Sequence, residues 1–385
     1  MDFFGRLCGL FAAILVISHP NTRAMKILTK ILMFACVLPA MAQVKVGVFL
    51  PFKSGGAVGQ SAVEYYRGLL MAVDSLSQGG QQFAVTAAHS GQTAQDMQAL
   101  LSESQNGVFD IIFAPSNQEQ LKVVNEYSRR NGTKVAVPFG GAYDEFISNP
   151  AFYALRVTQT DFTLSAYQLI ISALKGKTLY VVSCNGGTQI CPIANYVSKY
   201  VKGAKLLEWP KHEKKIVQLM ADESAVLIPS MYDEQTQATM HSLAAKSSGV
   251  KAAVVGYPAW YDRVQTEADR KALCQMNAYV IQQYFPRTAL PRVKKFAAMY
   301  KDNFDRDLPN ERFSLPLWGF DTGYYMLKGF SRYHIEFYDQ QVYAAPLQSA
   351  LRFRPRTTLS GLINTAVLMV HYKPDGMQEL VEMSE

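Results

Sequence analysis

Short apolar runs alternate with amphipathic stretches along most of this chain. Residues 44–50 read VKVGVFL, and Val44, Val46, Val48, Phe49 and Leu50 suit a strand buried on both faces of a parallel sheet. Residues 51–60 hold the turn formers Ser54, Gly55, Gly56 and Gly59, which cannot continue it. Ser61 then predicts a helix N-cap, with Glu64 three residues on as its capping-box partner. Val63, Tyr66, Leu70 and Val73 fall on one face of that helix. A first strand feeding a glycine loop and a helix opens an α/β domain whose ligands sit beyond the carboxyl ends of the strands.

The rhythm continues with strands over 83–88, 109–114 and 134–139 and helices over 93–106 and 117–130. Such alternation at roughly thirty-residue spacing is the mark of right-handed βαβ units. It breaks near Asn149-Pro150, where AFYALRV over 151–157 predicts a crossing to a second lobe. The pattern restarts with a helix over 161–174 and strands over 178–183, 205–209, 225–229 and 252–256. Helices over 193–201 and 234–247 lie between them, and 277–285 reads as extended. Helices over 291–303 and 315–330 and a tail of strands over 347–354 and 366–372 follow. The expected fold is therefore α/β, with two Rossmann-like lobes, each on a parallel sheet, joined by several hinge crossings. Lobe one takes 44–157 plus about 286–330, and lobe two 158–276 plus about 331–385.

Composition changes this picture in one place, the N-terminus. Residues 25–42 carry two lysines, an apolar stretch and Ala40-Met41-Ala42, the A-x-A cleavage pattern of an export signal. The signal is assigned to 1–42, with Met25 as the favoured start, and the mature chain is read as periplasmic or envelope-located. Lipid attachment at Cys36 is an alternative with a poorer flanking sequence. This segment holds four basic residues and one acid, so +3 of the formal net charge of +7 belongs to it. The remaining +4 has no basic run beyond KHEKK at 211–215, so nucleic acid is not an expected partner. Three cysteines stay in the mature chain. Cys184 and Cys191 flank a Gly186-Gly187 turn and are expected to pair in an oxidising compartment, core thiols being the alternative.

The stretches VKVGVFLPF, EYYRGLLMAVDSL, FDIIFAPS, KVAVPFGG, NPAFYALRVTQTDF and WGFDTGYYMLKGF, in this order, resemble the type 1 periplasmic binding protein superfamily. The likeness spans roughly 44–375 and lies in the leucine-binding-protein-like branch, nearest the Bacteroidetes-type exported proteins often linked to LysM repeats. It implies an interlobe ligand site on the loops after the strands. The matching positions are Phe52, Lys53 and Ser54; Ser116 and Asn117; Gly140, Gly141 and Ala142; Phe162; Asn185; Tyr232; Tyr257 and Trp260. Ser116 either binds a carboxylate at a helix start or only caps that helix. Trp260 either walls the cleft or packs the core.

Amino-acid readers of this family hold the ligand ammonium with an acid from lobe two, for which Asp233 and Asp262 are the candidates. The first loop, KSGGAVGQ, departs from the family's proline-threonine-glycine pattern. Trp318 and Asp321 are expected to pack rather than to touch ligand. No G-x-S-x-G or H-E-x-x-H motif occurs, and the six histidines have no motif partners, so neither an enzyme nor a cofactor is expected. The sequence thus predicts a binder of a small molecule, such as an amino acid or peptide-like compound. Its expected partner is a membrane transporter. The alternative is a non-transport envelope protein that uses the fold for protein contacts.

Overall fold

The computed structural model describes residues 43–102, 107–140, 145, 148–184, 190–309, 311–340, 342 and 345–381; the expected export segment lies outside them. Strand β1, Val44–Leu50, is buried except at Lys45, as a strand covered on both faces requires. The chain continues through α1 (Gly56–Gln78), β2 (Phe83–His89), α2 (Ala94–Ser102), β3 (Ile111–Phe113), α3 (Gln118–Asn131), β4 (Lys134–Val137) and β5 (Phe152–Ala154). These five strands are parallel, with Val46 facing Val85 on one side and Ile111 on the other.

After a crossing the second lobe repeats this plan. It runs through α4 (Gln159–Ala173), β6 (Thr178–Cys184), α5 (Pro192–Tyr200), β7 (Lys205–Trp209), α6 (Glu213–Met220), β8 (Ala225–Pro229) and α7 (Glu234–Ala245). Strand β9 (Ala253–Gly256), the short α8 (Pro258–Asp262), α9 (Glu267–Gln275) and β10 (Ala278–Gln282) complete it. The chain then returns to lobe one as α10 (Pro291–Phe304) and α11 (Leu315–Tyr333). Strands β11 (Phe353–Pro355) and β12 (Leu362–Asn364) follow, and the chain ends in β13 (Leu368–Tyr372) and β14 (Gln378–Leu380). The two seven-stranded sheets have the orders β11-β12-β5-β4-β3-β1-β2 and β14-β13-β10-β9-β8-β6-β7. Both are mostly parallel, with antiparallel pairs at β11–β12, β10–β13 and β13–β14.

Two boundaries differ from the sequence reading. Helix α1 starts at Gly56, and its N-cap is Gly55, so Ser61 lies inside the helix and caps nothing. Gly59 makes the early start feasible: a Cβ there would stand 2.1 Å from the Ser54 carbonyl oxygen. The other difference concerns 353–364, assigned to lobe two, which supplies two strands of the first sheet. Leu362 and Ile363 pair with Tyr153 and Ala154. Buried Asn364 fixes this return by donating to the Leu155 carbonyl (2.9 Å) and accepting from the amides of Arg352 (3.1 Å) and Ala366 (3.0 Å). It thereby ties the first crossing to the third.

Helices α1 and α11 cross at backbone contact. A Cβ on Gly68 would lie 1.9 Å from the Pro316 carbonyl oxygen, and one on Gly319 would lie 1.9 Å from that of Tyr65. The Thr322 hydroxyl gives its proton to the Trp318 carbonyl (2.7 Å), so the Tyr65 hydroxyl donates to Thr322 Oγ1 (2.8 Å). Two further anchors leave α11. Trp318 Nε1 donates to the Pro138 carbonyl after β4 (3.2 Å), and the Asp321 carboxylate accepts from the amides of Leu347 (2.7 Å), Gln348 (2.9 Å) and Ser349 (2.8 Å).

Gly319→Ala should be destabilising although alanine favours helices by about 1 kcal/mol. The overlap is with backbone and no rotamer relieves it, so a net loss of about 3 kcal/mol is expected in urea unfolding; an unchanged midpoint would mean the helices do not touch. Asp321 adds a pH dependence. Burial pushes its pKa up to about 6, against the pull of the three amides and Arg287. The folded chain therefore holds this proton more tightly than the unfolded one, where the pKa is about 3.9. Its contribution to stability is complete below pH 4 and is lost as the pH rises through 6, a change of ~3 kcal/mol. The stability difference between the native chain and Asp321→Asn, followed from pH 4 to 7, should fall by that amount; a flat difference would refute it.

Candidate functional site

The loops that leave β1, β2, β3 and β4 converge on a cavity of about 610 Å³ at the carboxyl end of the first sheet. Ser54, Gln92, Ser116 and Phe139 line it from these loops, and Val58 and Ser61 from the first turns of α1. Side chains sew the loops together. Asn117 caps α3 by accepting from the Gln120 amide (3.1 Å), and its own carboxamide reaches the Gln92 carbonyl (3.4 Å). Buried Gln120 donates to the carbonyls of Ser90 (2.6 Å) and Thr93 (3.2 Å). The Lys53 amide donates to His89 Nδ1 (3.3 Å), linking the first loop to the end of β2. With Asn117 as the cap, the Ser116 hydroxyl has no hydrogen-bond partner among the described residues and is exposed at the cavity.

Lobe two builds a second cavity of about 400 Å³ in the corresponding place. Phe162, with Gln159 and Thr163, comes from α4; Tyr232 follows β8, Tyr257 follows β9, and Gln283 follows β10. The Tyr257 hydroxyl donates to the Pro229 carbonyl (2.6 Å) and its ring meets Tyr232 edge-on at 6.3 Å. Burial, and then the neighbouring Cys191, hold its pKa well above the usual tyrosine range. Arg263 fixes the Tyr232 loop through the Tyr232 carbonyl (3.2 Å) and Gln237 Oε1 (3.3 Å).

Several expectations need correction. Trp260 is fully buried in the core of lobe two, packed where a Cβ on Gly256 would come within 2.8 Å of its ring. It takes no part in the cleft wall. Phe52 leans on Tyr66 (5.4 Å between rings) and lines an adjoining cavity of about 760 Å³, which shares Ser54 and Ser61 with the first and also holds Arg306 and Glu311. Lys53 is exposed and lines neither half-site. Gly140, at φ +89°, follows Phe139 without lining the cavity itself. Gly141, Ala142 and Asn185 lie outside the described residues.

Cys184 and Cys191 are free thiols on opposite faces of the second sheet. Cys184 packs with Ile216 and Met240, Cys191 with Phe162 and Val197, so the expected disulfide is not made. Burial raises both thiol pKa values, that of Cys184 to about 11. Asp233 caps α7 through the Thr236 amide (2.8 Å), and Asp262 accepts from the Tyr284 hydroxyl (3.2 Å).

The sequence reading missed the loop after β2 (Ser90 to Gln92), Phe139, Gln159, Thr163 and Gln283. Each lies within a few residues of a strand's carboxyl end or a crossing, and that rule applied to every strand would have found most of them.

Around the crossings, charged and aromatic groups join the lobes. The Arg156 guanidinium stacks 4.3 Å above the Phe313 ring and lies 5.9 Å from that of Trp318, while Tyr284 meets Phe313 at 4.9 Å. Arg312 donates to the Val264 carbonyl (2.9 Å), and Arg356 pairs with Asp161 (2.9 Å).

No protein-family model and no curated protein matches the chain. Solved structures do. A Rhodospirillum rubrum protein named as a branched-chain amino acid ABC transporter is 13% identical, with a TM-score of 0.57, covering 88% of this chain and 100% of its own. The substrate-binding protein of the Streptococcus pneumoniae branched-chain amino acid transporter, in complex with isoleucine, is 12% identical, with a TM-score of 0.42 and coverage of 88% and 99%. A solute-binding protein of an R. palustris ABC transporter, in complex with benzoate, is 12% identical, with a TM-score of 0.42 and coverage of 89% and 96%. The two sheets and two lobes of the present chain are the α/β fold of periplasmic binding proteins. Among the described residues no helix is long and apolar enough to cross a membrane.

Neighbouring residues 116 and 117 should separate experimentally. Asn117→Ala removes a cap and an interloop bond and should cost about 1 kcal/mol of stability, whereas Ser116→Ala should leave the unfolding midpoint in place. Equal losses in urea titrations would show that Ser116 also holds the loop.

Proposed function

We propose that this chain, after export and cleavage near Ala42, captures a small molecule between its two lobes and delivers it to a membrane transporter or sensor. One observation carries the reading. Each sheet ends in a half-site at the carboxyl ends of its strands, and the first two crossings leave from those same ends, after β5 and β10. Closing the lobes about the crossings would bring polar groups from both walls onto one solute. The likeness to the Rhodospirillum rubrum protein supports the transport setting. Site residues in this reading are Ser54, Ser116 and Asn117 from lobe one and Phe162, Tyr232 and Tyr257 from lobe two. The second reading is an envelope protein akin to LysM-linked exported proteins that uses the fold for protein contacts. It has less support, because neither half-site is filled by a large side chain: Phe52 and Trp260 both pack outside them.

A thermal-shift screen of the chain from Gln43 against amino acids, short peptides, sugars and muropeptides tests the proposal. A ligand at a hundred times its dissociation constant stabilises the folded state by ~2.7 kcal/mol. Tyr232→Ala should weaken the response about tenfold in ligand concentration by removing one aromatic wall. Silence across the panel would transfer the case to the envelope reading.

A further inference from the structure

Among the described residues, the side chains that line the two half-sites are uncharged. Lobe one presents the hydroxyls of Ser54, Ser61 and Ser116 and the carboxamide of Gln92 around Val58 and Phe139. Lobe two presents Gln159, Thr163 and Gln283 beside the rings of Phe162, Tyr232 and Tyr257. Cys191 also lines that wall, and burial keeps both its thiol and the Tyr257 phenol in their neutral forms.

Four carboxylates near the walls are already engaged, and exposed Glu311 stands with Arg306 in the adjoining cavity rather than in either half-site. Asp96 accepts from the amides of Gln92 and Thr93 (2.9 Å each) and from the Thr93 hydroxyl (2.9 Å). Asp161 is held by the Thr158 hydroxyl and by Arg356. Asp233, the acid expected to receive a ligand ammonium, caps α7, and Asp262 serves Tyr284. The Arg263 guanidinium, the cation behind the Tyr232 loop, is spent on a backbone carbonyl and Gln237.

Resting on the solute-binding reading, we propose that the cleft selects an uncharged solute carrying hydroxyl or carboxamide groups and one apolar face, in preference to a zwitterionic amino acid or a carboxylate. Hydroxyls and carboxamides both donate and accept, so these walls satisfy neutral groups of the same kind without a counter-charge. The rings of Phe139, Phe162 and Tyr232 take the apolar face. An ammonium closed between these walls would lose its water and meet no opposite charge among the lining side chains, and a carboxylate would have only the helix starts of lobe one to hold it.

Isothermal titration of the chain from Gln43 decides the matter with three groups of probes. The neutral group is maltose, N-acetylglucosamine, uridine and N-acetyl-leucine amide; the zwitterions are L-leucine and L-isoleucine; the anion is benzoate. At least one neutral probe should bind, and it should bind ~100-fold or more tightly than the charged ones. Ser116→Ala and Gln159→Ala should each weaken that probe about tenfold without moving the unfolding midpoint. Binding confined to leucine, isoleucine or benzoate would overturn the neutral assignment while leaving solute capture intact. No heat and no thermal shift with any probe would remove both.

Discussion

Everything in lobe one depends on the contact between α1 and α11, which allows no side chain at its closest points. Gly68 and Gly319 place carbonyl oxygens of one helix where a Cβ of the other would stand. Backbones that close leave little slack, so α11 carries its other attachments at fixed positions. Trp318 reaches Pro138 beside the cleft wall, and Asp321 gathers the three amides that hold the 347–349 segment. That segment in turn pairs with the second crossing, where the Phe285 amide donates to the Gln348 carbonyl (2.9 Å). One helix therefore contacts both the segment paired with the second crossing and the loop beside the first half-site. This explains why so late a part of the chain, 315–333, sits against its first helix.

The two lobes solve the same problem with the same topology and different fastenings. In lobe one the loops after β2 and β3 are joined by Gln120 and Asn117, side chains of a single helix start, and the Lys53 amide ties the loop after β1 to His89. In lobe two the equivalent work is spread over Tyr257, Arg263 and the bridge between Ile190 and Met231. A buried side chain bonded to two loops costs little further entropy when the ligand arrives, since the loops are already ordered. Preorganised walls suit a protein that moves as two bodies rather than one whose loops fold around a guest.

Strand and helix order was legible because the strands are buried on both faces and read as continuous apolar runs, such as VKVGVFL and AVLIP. The helix start at Gly56 was not, because its determinant is the space beside the Ser54 carbonyl, a contact that local sequence does not encode. Strands 353–364 were misplaced for a similar reason. They pair with β5 through Leu362 and Ile363, and Asn364 fixes that place by reaching the Leu155 carbonyl, more than two hundred residues away. Trp260 and Tyr257 read alike in sequence as aromatics after a strand. Only the packing against Gly256 decides that one faces the core while the other lines the cleft. The cysteine pair misled because the strand period puts Cys184 on one face and the start of α5 holds Cys191 on the other.

Among the described residues the half-site linings are uncharged, while an ion pair and a cation–π contact stand at the crossings. These joints differ in strength in a way that bears on closure. Arg356 and Asp161 form a half-exposed pair, worth no more than ~1 kcal/mol, which a rotation of the lobes can break and reform cheaply. Arg156 is more deeply buried between Phe313 and Trp318, its pKa lowered by burial, and a desolvated cation–π contact is worth about 2 kcal/mol. Asn364 satisfies three backbone groups in the core and has no alternative partners if they separate. Movement should therefore pivot on Asn364 and Arg156 and exchange the peripheral ion pair. On the proposed solute-binding function, closure would then displace only the weakest of the interlobe contacts.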